Sequence, residues 1–235
     1  MNNLQQLDSL AAHSDVYRDS QRVAIIDMGS NSFRLIVMEY VPRLSFKMVD
    51  EVRESVRIGE GMAQMDVLRP AAMDRAVRAA QIYASFCQSS GIQDIVVAGT
   101  SAIRDARNQS RYIERVAREA GLNVRVLSET EEAYYGYLAA VNSTTLHTGY
   151  VVDLGGGSMQ ITRVENRLTT HSVSFPIGAV RLTEGWLKSD PASRKEIEQL
   201  SDHLRERFQA LDWFRYEEGM TMIGEGGSLR LIGHL

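Results

Sequence analysis

Two widely separated segments of this chain carry one pattern. Asp27-Met-Gly-Ser-Asn-Ser32 and Asp153-Leu-Gly-Gly-Gly-Ser158 both read Asp-x-Gly-x-x-Ser. The first follows the apolar run Arg22-Val-Ala-Ile-Ile-Asp27, the second Tyr150-Val-Val-Asp153, and each precedes a further strand-like stretch. One such hexad in 235 residues is within reach of chance. Two, both set between strands, form a long-range repeat, which predicts two structurally related lobes. The first is assigned to residues 22–143 and the second to 144–235, with 1–21 as an N-terminal extension.

The intervening sequence supports layered α/β lobes. Strands are predicted at Phe33–Tyr40 and Phe46–Val56, making a meander with the first run. Pro70 opens a helix to about Ser90, with Ala72, Ala76, Ala79, Ala80 and Tyr83 as its packing stripe and Gly91 ending it. Strand Ile95–Ala98, helix Gln109–Ala120, strand Val124–Leu127 and helix Glu129–Val141 complete the first lobe. The second restarts at Tyr150, with strands Ile161–Val164 and His171–Phe175 and helices Ala179–Leu187 and Ala192–Leu211. A strand Met220–Ile223 then runs into a loop, Gly224-Glu-Gly-Gly-Ser228. Leu4, Leu7, Leu10 and Ala11 have helical spacing in the extension, which reads as a short helix or a tail.

Tight turns rich in Gly, Ser and Asn expose backbone N–H groups and small hydroxyls, which bind phosphate oxygens. Glycine also lets a ligand approach the backbone closely. Asp27 and Asp153 stand at strand ends, where carboxylates hold Mg²⁺ through its waters. A single turn of this kind is adequately explained as a hairpin with Asp and Asn as turn formers. The matched pair points instead to a phosphate chain and metal clamped between lobes.

Arg57, Arg104, Arg107 and Arg181 lie in loops or at element ends, where arginine suits phosphate. Arg104 is the strongest candidate, because Gly99-Thr-Ser-Ala-Ile-Arg104 follows a buried strand, at the ligand end of an α/β sheet. Glu129, Glu131 and Glu132 open a helix. Any of them complements the helix dipole, and any could orient and deprotonate water; spacing does not choose among them.

Composition excludes several classes. A net charge of −4 offers no global attraction for a polyanion, so a polyanion site must be a local cluster of donors. Basic clusters interleaved with aromatics are missing, against nucleic-acid binding. No G-x-x-x-x-G-K-[ST] loop occurs, and the five histidines lack metal-ligand spacing. No apolar run is long enough to span a membrane, and no signal peptide is read at the N-terminus. The one cysteine, Cys87, forms no intramolecular disulfide and fits a reducing, cytoplasmic setting.

Five segments together resemble the exopolyphosphatase/guanosine pentaphosphate phosphohydrolase family. They are Ala24–Leu35, Gly99–Asn108, Glu131-Glu-Ala133, Val152–Ser158 and Ile177–Glu184, in the family's order. The resemblance implies an α/β, actin-like, ribonuclease H-like fold of the sugar kinase–actin superfamily, with a second lobe that is C-terminally incomplete. It implies Mg²⁺-dependent removal of a terminal phosphate from polyphosphate or guanosine pentaphosphate, and leaves open which. By the same resemblance Glu132 is the catalytic carboxylate and Asp27 and Asp153 are the metal residues. Ser30, Asn31, Ser32, Arg104, Gly155, Gly156, Gly157 and Ser158 then bind substrate. A homodimer is allowed.

The sequence departs from the family where Gln160 stands in place of a frequent acid and Glu225 in place of a small residue. Glu225 is expected to restore the carboxylate lost at position 160. A kinase of the same superfamily and a catalytically weak polyphosphate or alarmone sensor are the competing expectations, the latter motivated by Gln160 and the short second lobe.

Overall fold

The computed structural model describes residues 20–233, so residues 1–19 of the extension, with the Leu4–Ala11 spacing and His13, and also His234 lie outside the described residues, while Gln21, assigned to the extension, opens the first strand. The first sheet holds β1 (Gln21–Met28), β2 (Phe33–Val41), β3 (Ser45–Glu54), β4 (Asp94–Gly99) and β5 (Val124–Val126) in the order β3-β2-β1-β4-β5. The three meander strands are antiparallel, whereas β4 and β5 run parallel to β1. Ala24, Ile26 and Met28 alternate onto one face, as the strand period of two requires, and are fully buried. They pack against α2 (Pro70–Ser89) and α4 (Gln109–Ala120), with the short helices α1 (Met62–Met65) and α3 (Ser101–Asp105) alongside. Pro70 occupies the first turn of α2 as expected, and the Tyr83 hydroxyl donates to the Phe33 carbonyl at 3.0 Å, locking helix to sheet.

The second sheet holds β6 (Gly149–Leu154), β7 (Met159–Glu165), β8 (Leu168–Phe175) and β9 (Thr221–Glu225) in the order β8-β7-β6-β9. Here too the meander is antiparallel and the fourth strand runs parallel to the first. The sequence repeat is therefore a topological repeat: β6, β7, β8 and β9 take the places of β1, β2, β3 and β4. This is the actin-like, ribonuclease H-like α/β fold that the motifs imply.

The two sheets are covered differently. One face of the second sheet packs Val151 and Val164 against Tyr137, Ala140 and Val141 of α5 (Glu129–Ser143). Its other face packs Tyr150, Val152 and Ile161 under α7 (Arg194–Gln209) and the Leu211–Phe214 segment. Helix α5 thus crosses from the first sheet to lie on the second, which carries Glu132 into the space between them. The helix expected from Ala192 begins at Arg194 because Ser193 forms a capping box with Glu196. Gly224 and Glu225, expected in a loop, extend β9, because Val152 and Asp153 of β6 supply their ladder partners. A short helix, α8 (Gly227–Ile232), follows, and α6 (Ala179–Trp186) lies between β8 and α7.

Candidate active site

Asp27 is the last residue but one of β1, and Asp153 the last but one of β6. In the ladders, Asp27 stands between Arg34 of β2 and Ala98 of β4, and Asp153 between Gln160 of β7 and Glu225 of β9. The turns that follow touch each other. A methyl group on Gly156 would lie 3.1 Å from the Asn31 nitrogen, and one on Gly157 would lie 2.6 Å from both the Ser30 and Ser101 hydroxyls. Only glycine allows that approach. Ser30 is buried, with its Oγ 2.9 Å from Ser101 Oγ and accepting from the Ala102 amide at 3.2 Å.

Each turn is held from behind by its own lobe. Arg57 and Gly59 donate their amides to the Asn31 and Ser30 carbonyls at 2.7 and 2.9 Å. Ala179 and Val180, at the start of α6, donate to the Gly155 and Gly156 carbonyls at 2.9 and 2.8 Å. Three further bonds join the segments across the gap. Arg181 pairs with Asp105 at 2.7 Å, and the Gly61 amide donates to both Glu184 oxygens at 2.9 and 3.0 Å.

Helix α5 settles which glutamate faces the cleft. Glu131 turns back to accept from Ser128 in a capping box and pairs with Arg125. Glu132, at 15% side-chain exposure, accepts from Arg104 Nη1 at 2.7 Å on one oxygen and from Ser158 Oγ at 3.3 Å on the other. It therefore joins the arginine after β4 to the second turn. Arg104 also donates to the Leu127 carbonyl at 3.1 Å, while its Nε is buried and makes no hydrogen bond.

The electrostatics match this crowding. Burial raises Asp27 to about 6, repulsion from Glu132 and Asp153 adds to it, and Arg34 opposes it. Burial and Glu132 raise Asp153 to about 6 against the pull of Arg230. Burial and Asp153 raise Glu225 to about 7, again against Arg230. Gly136, one turn beyond Glu132 on α5, makes room for this group: a methyl there would lie 3.2 Å from Glu225 Oε2 and 3.9 Å from Asp153 Oδ2. Among the described residues no three His, Cys, Asp or Glu side chains are arranged to enclose a bare ion.

Of the residues singled out in the sequence, Asp27, Ser30, Asn31, Arg104, Glu132, Asp153, Gly156, Gly157 and Ser158 meet in one place. Ser32 is turned toward Arg53, which donates to its hydroxyl at 3.3 Å, and the Gly155 amide closes its own turn on the Ser158 carbonyl at 3.0 Å. Arg107 supports structure instead: its amide bonds the Asp66 carbonyl and its side chain the Met65 carbonyl.

Sequence reasoning missed Ser101, Arg34, Arg53 and Gly136. Ser101 was findable, because Gly99-Thr-Ser101 after β4 and Gly226-Gly-Ser228 after β9 are a second matched pair in equivalent places. Arg53 has no local signal; only the β2–β3 register places it beside Arg34.

Two lobes of one topology, with paired Asp-led turns in contact and carboxylates and arginines between them, define an actin-like α/β protein with an acid-lined interlobe cleft. The chain belongs to the Ppx/GppA phosphatase family, whose sequence profile matches residues 36–233. It is 28% identical over 185 residues to exopolyphosphatase 1 of Mycobacterium leprae, covering 78% of this chain and 55% of that protein. It is 26% identical over 218 residues to the guanosine-5'-triphosphate,3'-diphosphate pyrophosphatase of Aliivibrio fischeri, covering 89% and 42%. The chain thus spans about half the length of these relatives. The crystal structure of the Aquifex aeolicus Ppx/GppA family member superposes with a TM-score of 0.70 at 28% identity, over 89% of this chain and 67% of that one.

Proposed function

We propose that this chain removes the terminal phosphate of inorganic polyphosphate with Mg²⁺, in the cytoplasm. The observation that carries the reading is Glu132, bonded at once to Arg104 and to Ser158 of the second turn. A carboxylate so placed can take a proton from water at the point where the phosphate-type turns meet.

Phosphoryl transfer runs through a loose transition state, so positioning and charge neutralisation do most of the work. Ser30 and Asn31 on one side and Gly156, Gly157 and Ser158 on the other would hold the chain through their backbone amides. Arg104, paired with Glu132 at 2.7 Å and Asp105 at 3.5 Å, sets a guanidinium beside the turns that suits a phosphate oxygen. Because Gly156 and Gly157 lie against Ser30 and Asn31, a phosphate chain can pass between the turns only when they separate.

Mg²⁺ fits this donor set. It commonly uses one or two carboxylates plus waters and substrate phosphates, so no three-residue cage is needed. Asp27 and Asp153 would hold it, and their crowded negative charge is what a cation relieves. Bound there, it would neutralise charge on the phosphate oxygens.

Similarity to the Aliivibrio fischeri enzyme supports guanosine pentaphosphate as the second substrate reading. The deciding experiment measures phosphate release from long-chain polyphosphate and from guanosine pentaphosphate side by side, with and without Mg²⁺. Release from polyphosphate that requires Mg²⁺ is expected, and Glu132→Gln is expected to lower it on the order of a hundredfold or more while phosphate-chain binding survives. Release from guanosine pentaphosphate alone selects the second substrate. Tight binding without release from either would reduce the chain to a sensor.

A further inference from the structure

Gln160 lies on β7 at 3% exposure, on the same face as Asp153, and its side-chain nitrogen donates twice: to Ser158 Oγ at 3.0 Å and to Ser174 Oγ at 3.1 Å. Ser158 Oγ in turn lies 3.3 Å from Glu132 Oε1. The directions of these bonds are fixed by counting hydrogens. An ionised Glu132 only accepts, so Ser158 must give it its single hydrogen. Having spent that hydrogen, Ser158 can only accept from its other neighbour. A carboxamide at position 160 is the group that donates there and still has a second hydrogen for Ser174. We propose that Gln160 is a positioning residue that locks the Ser158 hydroxyl toward Glu132 and so fixes the aim of the catalytic carboxylate.

The acid that is frequent at this position in the family makes no such relay. Having no hydrogen to offer, it would compete with Glu132 for the one on Ser158. The near-isosteric change Gln160→Glu therefore inverts the relay, whereas Gln160→Met removes it. This also accounts for a polar side chain in so buried a place: the inner face of β7 and β8 is a satisfied polar stripe, continued by Thr162 Oγ1 and Ser172 Oγ at 3.1 Å.

The inference rests on the role given to Glu132, and its test separates the two. A double-mutant cycle on kcat tells action through Ser158 from a general packing role, because residues acting through one bond are non-additive. Gln160→Met is expected to lower kcat on the order of tenfold in the native background, with the polyphosphate KM little changed, and less than about twofold when Ser158→Ala is already present. Ser174→Ala, which spares the Ser158 bond, should lower kcat by less than about twofold. Equal losses from Gln160→Met in both backgrounds would overturn the proposal.

Side-chain amide NMR reads the same relay without activity and without relying on a variant that folds poorly. Both Gln160 amide hydrogens should be protected from solvent exchange in the native chain, and unprotected hydrogens would overturn the proposal. If the native chain releases no phosphate but both hydrogens are protected, the functional reading fails and the relay stands.

Discussion

At Gly157 a single methyl group decides whether the turns can meet. The built methyl falls 2.6 Å from two buried hydroxyls, those of Ser30 and Ser101, and neither has a free direction to retreat because they bond each other. A methyl on Gly185, on α6, would meet nothing within 4 Å. Gly157→Ala is therefore expected to destabilise by about 1–3 kcal/mol through overpacking and to impair phosphate release. Gly185→Ala should be neutral or stabilise by up to about 1 kcal/mol through helix propensity. Urea midpoints for the two variants, read against the native chain, test the contrast. Similar shifts in both would mean that the turns have room to part without cost. Residue identity alone could not rank these glycines, since the difference lies in what faces them from the other lobe.

Helix α5 shows what the sequence could and could not disclose at the scale of elements. Its existence, its acidic start and the repeat that flanks it were all readable, because periodicity and capping are local. That it lies on the second sheet was not, because Tyr137, Ala140 and Val141 form an apolar stripe that would suit either sheet. The choice among Glu129, Glu131 and Glu132 was hidden for the same reason: it depends on which side of the helix meets Arg104 and Ser158. The short helices α1, α3 and α8 escaped prediction because four to six residues hold too little pattern to separate from a turn.

Glu131 sits in the cap and Glu132 faces the cleft, and variants at the helix start can separate a structural from a catalytic contribution. Ser128→Ala removes the cap and should cost about 1 kcal/mol of stability, with kcat reduced far less than by Glu132→Gln. Glu132→Gln should keep the cap and lose turnover. Denaturant melts alongside initial rates give both readouts. If Ser128→Ala abolished turnover without changing stability, the cap would have been assigned the wrong job.

Across the whole molecule, the carboxylates of the cleft set a dependence of stability on pH that runs opposite to the usual acid denaturation. Asp27 and Asp153 are raised from 3.8 to about 6, and Glu225 from 4.5 to about 7, chiefly by burial. A carboxyl raised in the folded state holds more protons there than in the unfolded chain between the two values. Stability from these groups is therefore fully present below about pH 4 and is lost as pH rises through 6 to 7. Glu196, held at about 2 by hydrogen bonds from Ser189, Ser193 and Lys188, works in the opposite sense, contributing above its ordinary 4.5 and failing as pH falls toward 2. In chelator, the melting temperature is thus expected to fall from pH 5 to pH 8. Under the proposed role for Mg²⁺, it would bind the ionised carboxylates and not the protonated ones, so its stabilisation should be larger at pH 8 than at pH 5. Asp27→Asn removes one buried charge, and should flatten the fall in chelator and shrink the Mg²⁺ increment together. A melting temperature unchanged from pH 5 to 8 in chelator, with an equal Mg²⁺ shift at both ends, would mean that these carboxylates face water rather than one another.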